Sequence, residues 1–390
     1  MRKLLFLFRR EWQQVCHDPR RLVFLFGAAI AYLIIFGTLY LPNIVTAVPT
    51  VIYDEDQSAL SRQLVRDFED SDSYKIVAYA DSEAAMKQMV LDKDAVAAIQ
   101  IPADFSKKVK TGSYSTVLYF VNGSNIILTN VTSSAAQDIL TEFSNKLAAQ
   151  QTALRHSADE QALLKRLAPI SVHLRVLYNA TQGYMYFFLL GLAMVAYQQG
   201  ILFAVGASAC YETEHPEENK DWAPWQLLLS KTIFYWLFSM ASYAMVVAFV
   251  RYIWQIPLKA PLGGLFALAA VFILAVTFFS ITVASFFRNE VSYVRAIILY
   301  PVIAFIISGY TWPMEGMVTS MQDLAQIFPL AFLSNTVREL FLIGYSPHYA
   351  QSISHLCILT IVFFIPALIL YTRRLKWAKR AGTKVHAPTQ

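Results

Sequence analysis

Charge is scarce in this sequence. Only 15% of its 390 residues are Asp, Glu, Lys or Arg, against about 25% in soluble domains, which excludes an ordinary water-soluble enzyme. Cysteine is rarer still. Cys16, Cys210 and Cys357 are too few and too far apart for a disulfide framework or a thiolate metal site. The seven histidines are scattered, and neither GxxxxGK[ST] nor HExxH occurs. No catalytic residue, metal ligand or bound cofactor is therefore expected on this chain, and any energy source belongs to another. Internal repeats and low-complexity tracts are also absent.

What is abundant is apolar surface: 56% hydrophobic residues, 14% aromatic, and a mean hydropathy of +0.43. Crossing a bilayer takes roughly 20 apolar residues in a helix. Six stretches qualify: Leu22 to Leu41, one within Val176 to Tyr211, Thr232 to Val250, Ala260 to Phe287, Ala296 to Met314, and one within Leu340 to Thr372. The first is long enough to span and ends in LYLPNIV rather than in a small-residue cleavage site, so it reads as retained and not as a signal peptide.

Lys and Arg in short loops resist translocation and set orientation. Arg2, Lys3, Arg9, Arg10, Arg20 and Arg21 precede the first stretch, and Arg373, Arg374, Lys376, Lys379, Arg380 and Lys384 follow the last. Both termini are thus expected in the cytoplasm of a multi-pass protein. The net charge of +5 conceals a division. Residues 42–178 carry 13 Lys and Arg against 16 Asp and Glu, whereas the rest carries 19 against 11. Anionic headgroups account for the basic excess, so membrane lipid is an expected partner and nucleic acid is not.

Residues 42–178 form an insertion long enough for a domain core. VPTVIYD, KIVAY, AVAAIQI and TVLYFVN read as strands. Between them lie a helix capped by Ser58, a helix over Asp81 to Leu91, and a short one over Ala103 to Lys110. A longer helical pattern follows Gly123, with Ile139, Phe143, Leu147 and Leu154 on one face. It suits either a core helix or one that returns the chain to the membrane. The expectation is a small α/β domain outside the cytoplasm, held by packing.

Three further stretches carry functional signals. LFLFRREWQQVCHDPRRL places Leu4, Leu5, Phe8, Trp12 and Val15 on one helical face and Arg9, Arg10 and Gln13 on the other, with Pro19 as a break. That suits an interfacial helix on the inner leaflet, or a plain anchor. YETEHPEENKDWAPWQLLLSK puts Glu212, Glu214, Glu217, Glu218 and Asp221 where a cytoplasmic loop ordinarily favours cations. An amphipathic turn from Trp225 to Leu229 follows, which suits either a docking knob or a solvated loop. ISGYTWPMEGM interrupts the fifth apolar stretch at Ser308, Gly309, Trp312, Pro313 and Met314. Irregular backbone at membrane depth belongs in buried or cavity-lining positions, and Met317 to Ile343 reads as two short re-entrant helices.

Together these stretches resemble the membrane subunit of a type-2 ABC transporter, in the exporter branch with a large extracytoplasmic insertion. RREWQQVCHDPRRL is similar to the family's connector helix. SGYTWPMEGMVTSMQDLAQIFPLAFLSNTVRELFLIG is similar to its signature through Ser308, Gly309, Pro313, Met317, Pro329, Arg338 and Gly344. YDEDQSALSRQLVRDF, IQIPADFSKKVKTG and VNGSNIILTN follow the order of its insertions. The coupling segment departs from the pattern, keeping Glu212, Glu214, Leu227, Leu228 and Ser230 but lacking the usual Gly-Thr.

The resemblance implies an all-α six-span transmembrane domain of the type-2 ABC exporter fold with an inserted α/β extracytoplasmic domain. Its parts would be a connector helix over residues 1–21, a first span at 22–41, the inserted domain at 42–178, five spans over 179–372, and a basic tail at 373–390. The coupling loop would occupy 212–231 and the re-entrant helices 310–345. It implies a bacterial inner-membrane location, a pair of ATPase subunits carrying ATP and Mg, and a second permease copy or sibling. A periplasmic adaptor and an outer-membrane channel would join them in a Gram-negative host. Glu11, Arg20, Glu212, Glu214, Trp225, Leu227, Leu228 and Lys231 would couple to the ATPase. Tyr32, Gln182, Gln198, Gln199 and Tyr300 would line the path beneath an outer gate at residues 308–314, although buried Tyr and Gln also serve as glue between helices. The expected activity is export of an amphiphilic compound, drug or lipid-like molecule. A membrane-anchored receptor without transport is the alternative. An intramembrane enzyme would need paired ionisable groups at membrane depth, which none of the six apolar stretches contains.

Overall fold

The computed structural model describes residues 2–42, 45–111, 113, 115–123, 126–156, 183–219 and 221–385. They form two units, one of residues 1–43 and 176–390 and one of residues 44–175.

The first unit is helical. α1 (Arg2–His17) is followed, across Asp18 and Pro19, by α2 (Arg20–Leu39). The other long helices are α7 (Met185–Glu214), α8 (Pro224–Tyr252), α9 (Leu262–Ala284), α10 (Glu290–Ile307) and α13 (Tyr349–Val385). Among the described residues, α2, α7, α8, α9, α10 and α13 are the six helices long and apolar enough to cross a membrane. Between α10 and α13 lie two shorter helices, α11 (Thr319–Ala325) and α12 (Pro329–Leu342).

α7 lies at the centre of this bundle and is buried on nearly every side from Leu190 to Cys210. The peripheral helices bury one face only. In α2, Leu25, Ala29, Leu33 and Gly37 recur every fourth residue and are buried, while Val23, Phe24, Ile34, Ile35 and Leu39 are exposed. In water such a surface would be unstable; in a bilayer the hydrocarbon covers it at no cost.

Among the boundaries that differ from the sequence expectation, two have a specific physical reason. The third span begins at Pro224 rather than Thr232, because Pro fits the first helical turn and Lys231 is tolerated inside the helix by its partners. The fifth ends at Ile307 rather than Met314, since the chain turns at Ser308 and at Gly309, whose φ of 79° is left-handed.

The second unit is a four-stranded sheet flanked by helices, in the order β2-β1-β3-β4. Its strands are β1 (Val48–Asp54), β2 (Tyr74–Tyr79), β3 (Ala97–Ile101) and β4 (Leu118–Val121). β1 pairs parallel with β2 and β3, and β4 is antiparallel to β3. α3 (Ala59–Glu69), α5 (Phe105–Thr111) and α6 (Ile126–His156) share a core with Ile52, Tyr74 and Ile99, whereas α4 (Glu83–Leu91) packs through Met86 on Val51 and Ala98. Ser58 caps α3, accepting from Leu60 N and Ser61 N. Phe143 of α6 is buried and stacks on Phe105 at 6.3 Å, so this helix is a core element of the sheet unit. The side chain of Leu154 lies outside the described residues.

Candidate functional site: a buried ion cluster and a pinned chain reversal

α1 presents Leu7, Glu11 and Val15 inward at four-residue spacing, and Glu11 is only 1% exposed. A lone carboxylate there would be very costly. It is offset by partners from two spans: Ser208 of α7 donates to Glu11 at 3.2 Å, and the Lys231 ammonium of α8 lies 3.4 Å away. Lys231 also donates to Ser208 and pairs with Glu212 of α7 at 3.3 Å. Glu212 in turn accepts from the Tyr371 hydroxyl of α13 and has the Arg10 guanidinium at 3.6 Å. One buried cluster therefore ties α1 to α7, α8 and α13.

Burial raises the Glu11 carboxyl above its ordinary value of 4.5, and the Lys231 charge opposes that rise. Just outside, Arg20 donates to Asp18 through Nε at 2.7 Å and Nη2 at 3.2 Å and holds that carboxyl below its usual range.

The eight expected coupling residues therefore separate by environment. Glu11, Glu212 and Lys231 converge in the cluster, and Leu227 and Leu228 are buried in the bundle. Arg20, Glu214 and Trp225 remain at the surface, with Glu214 accepting from Glu290 N at 2.9 Å. Glu212 and Lys231 are enclosed in the bundle and paired with each other rather than presented at the surface. Glu217, Glu218, Asp221, Trp225 and Leu229 form the exposed face of this loop and turn. Tyr371 and Ser208 escaped the sequence reading, since nothing local marks a tyrosine as a partner for a glutamate 159 residues earlier, and Arg10, expected on the polar face of α1, instead faces Glu212.

At the far end of α10 the chain reversal is pinned. Ser308 is buried and bonds back to Phe305 O at 2.7 Å, and the Asn335 side chain of α12 donates to Ser308 O at 2.8 Å. The Tyr310 hydroxyl donates to Phe187 O, and its ring lies where a Cβ on Gly191 would come within 2.5 Å, so α7 needs glycine there. Gly309 is bounded likewise by Met314. Ser308, Met314, Asn335 and His355 line a cavity of about 370 Å³, while Trp312 and Pro313 are exposed.

The expected path residues are more dispersed. Tyr32 is half-buried against Phe36 at 5.4 Å, and Tyr300 stacks on Phe279 at 4.6 Å. Gln198 is fully enclosed, Gln199 half-buried, and Gln182 lies outside the described residues.

The six apolar helices make this unit a multi-pass membrane bundle, and similarity to known proteins gives its class. The chain belongs to the family described as "ABC-2 family transporter protein", which matches residues 20–369. It is an ABC transporter permease by family and a transmembrane protein by its apolar helices. It is similar to the "Probable multidrug ABC transporter permease YbhR" of Escherichia coli strain K12, with 20% identity over 347 residues, covering 87% of this chain and 90% of that relative. The protein of the same name from Escherichia coli O157:H7 matches to the same extent.

Proposed function

We propose that this chain is the permease subunit of an ATP-driven export complex of the bacterial inner membrane, moving an amphiphilic small molecule, drug or lipid-like substrate. ATP and Mg bind a separate pair of ABC ATPase subunits, and a second permease, identical or related, completes the path. The multidrug description of the relative supports the substrate class. Basic residues at both termini support their cytoplasmic placement, which puts the sheet unit outside the cytoplasm. There it offers a surface for an adaptor leading to an outer-membrane channel.

The observation that carries ATP coupling is the cluster of Glu11, Ser208, Lys231, Glu212 and Tyr371. Burial and ion pairing make it stiff, so a push on α1 or on residues 215–223 reaches three spans together. The exposed acids Glu217 and Asp221, with Trp225 at 58% exposure, supply a charged and aromatic face for the ATPase. At the opposite end the reversal at Ser308 and Gly309, with α11 and α12, closes the outer gate.

The test is co-purification of the permease with its ATPase, comparing wild type with Asp221→Lys/Trp225→Ala. Loss of ATPase binding and of permease-stimulated hydrolysis in a folded variant is expected. Unchanged binding and hydrolysis would overturn this docking face.

A further inference from the structure

Arg338 of α12 is a half-buried cation that makes no ion pair among the described residues. Its guanidinium stands 4.5 Å from the centre of the Tyr310 ring and 4.8 Å from that of Phe187. The two rings lie 5.3 Å apart, inclined at 41°, and make a corner around the charge. One nitrogen donates to Asn335 Oδ1 at 3.2 Å, and Asn335 holds Ser308 O with its other end. The cation therefore joins α12, the residue after the chain reversal, and the start of α7. Phe187 itself lies on a π-helical turn, Met185–Leu189, a wider helical form that is rare and concentrated at functional positions.

The kind of attachment matters. A carboxylate partner would fix α12 by a directed and strongly desolvated pair, costly to break in each cycle. Ring faces hold a guanidinium without a fixed direction, and the strength of that hold depends on exclusion of water. Such a contact is firm when closed and weakens once water reaches it, which suits a part that must move repeatedly.

We propose that Arg338 is the latch of the outer gate: its guanidinium clamps α12 to Tyr310 and Phe187 in the closed state and leaves their ring faces when the path opens. This rests on the reading of residues 308–342 as that gate. Arg338 is a positioning residue, acting through the rings rather than on the transported molecule.

The test uses the complete permease–ATPase complex in proteoliposomes, with Cys16→Ser, Cys210→Ala and Cys357→Ser, and Ala325→Cys, in the same cavity as Ser308, as a reporter. Ala325 is fully buried. Labelling by a membrane-impermeant maleimide from the outer face is timed without ATP. Arg338→Gln should label roughly ten-fold faster, and Arg338→Lys, which keeps the charge but loses the planar fork, should fall between it and the parent. Phe187→Leu should also speed labelling, and its combination with Arg338→Gln should add little, since each removes the same contact.

A merely structural arginine would lower the melting temperature without changing the labelling rate, and that result overturns the latch. Should Arg338→Gln fail to assemble, Arg338→Lys and Phe187→Leu decide by the same criterion. If the parent's labelling does not respond to ATP turnover at all, the gate reading itself fails. If it responds while every latch variant stays at the parent's resting rate, only the latch fails.

Discussion

The Lys231 ammonium lies 3.3 Å from the Glu212 carboxylate, joining the start of α8 to the end of α7, and both side chains are fully enclosed. Lys231 also neutralises Glu11 at 3.4 Å and Glu212 also faces Arg10 at 3.6 Å, so removing Lys231 leaves two buried carboxylates without their ammonium, at a cost of about 3 to 5 kcal/mol, and removing Glu212 costs less. Lys231→Met and Glu212→Gln should each melt well below wild type in detergent. The double variant should melt higher than the sum of the two losses implies, because Glu212→Gln removes one of the two carboxylates that Lys231→Met leaves buried. Additive losses would contradict the pairing.

Glu11 should behave differently. Burial raises its carboxyl, and a group with a raised folded-state pKa contributes stability below its unfolded value that is lost as pH rises through the folded one. Glu11→Gln stays neutral throughout. Melting temperatures taken from about pH 5 to about pH 7 should therefore show wild type losing ground to Glu11→Gln as pH rises. A gap independent of pH would mean that Glu11 does not titrate in this window.

Gly191 offers a steric test. A Cβ there would stand 2.5 Å from the Tyr310 ring and 2.9 Å from the Phe305 ring. Overpacking of this kind costs about 1 to 3 kcal/mol. Gly191→Ala should lower the melting temperature, and adding Tyr310→Leu should restore part of the loss. No rescue would indicate that the strain lies elsewhere.

The surface acids should separate from the buried one. Glu217→Lys should leave the melting temperature unchanged, because its side chain is exposed, and should weaken ATPase association as added salt does. Glu212→Lys should instead abolish folding, since it places a second ammonium beside Lys231. Equal effects of the two on melting would contradict the assigned burial.

The sheet unit was legible because its signals are local: short apolar runs such as VPTVIYD and KIVAY, and a cap at Ser58. The apolar spans were legible by length. Their ends were not, because a run of uncharged residues stops at Lys231 whether or not the helix does, and hydropathy continues through Ser308 although the chain turns there. Glu11 was identified through a resemblance, yet its buried setting depends on Lys231, 220 residues away. The hold of Phe187 and Tyr310 on Arg338 is equally remote in sequence, and no spacing rule connects a cation to rings that only the fold brings near it.

The central claim is that this chain carries a substrate across a membrane when a partner hydrolyses ATP. Inverted membrane vesicles containing permease and ATPase, supplied with a fluorescent amphiphilic cation, test it most directly. ATP-dependent accumulation that disappears both with a hydrolysis-deficient ATPase and with Asp221→Lys/Trp225→Ala is the expected result. Equal uptake with and without ATP, across a panel of amphiphilic drugs and lipid analogues, would contradict the account.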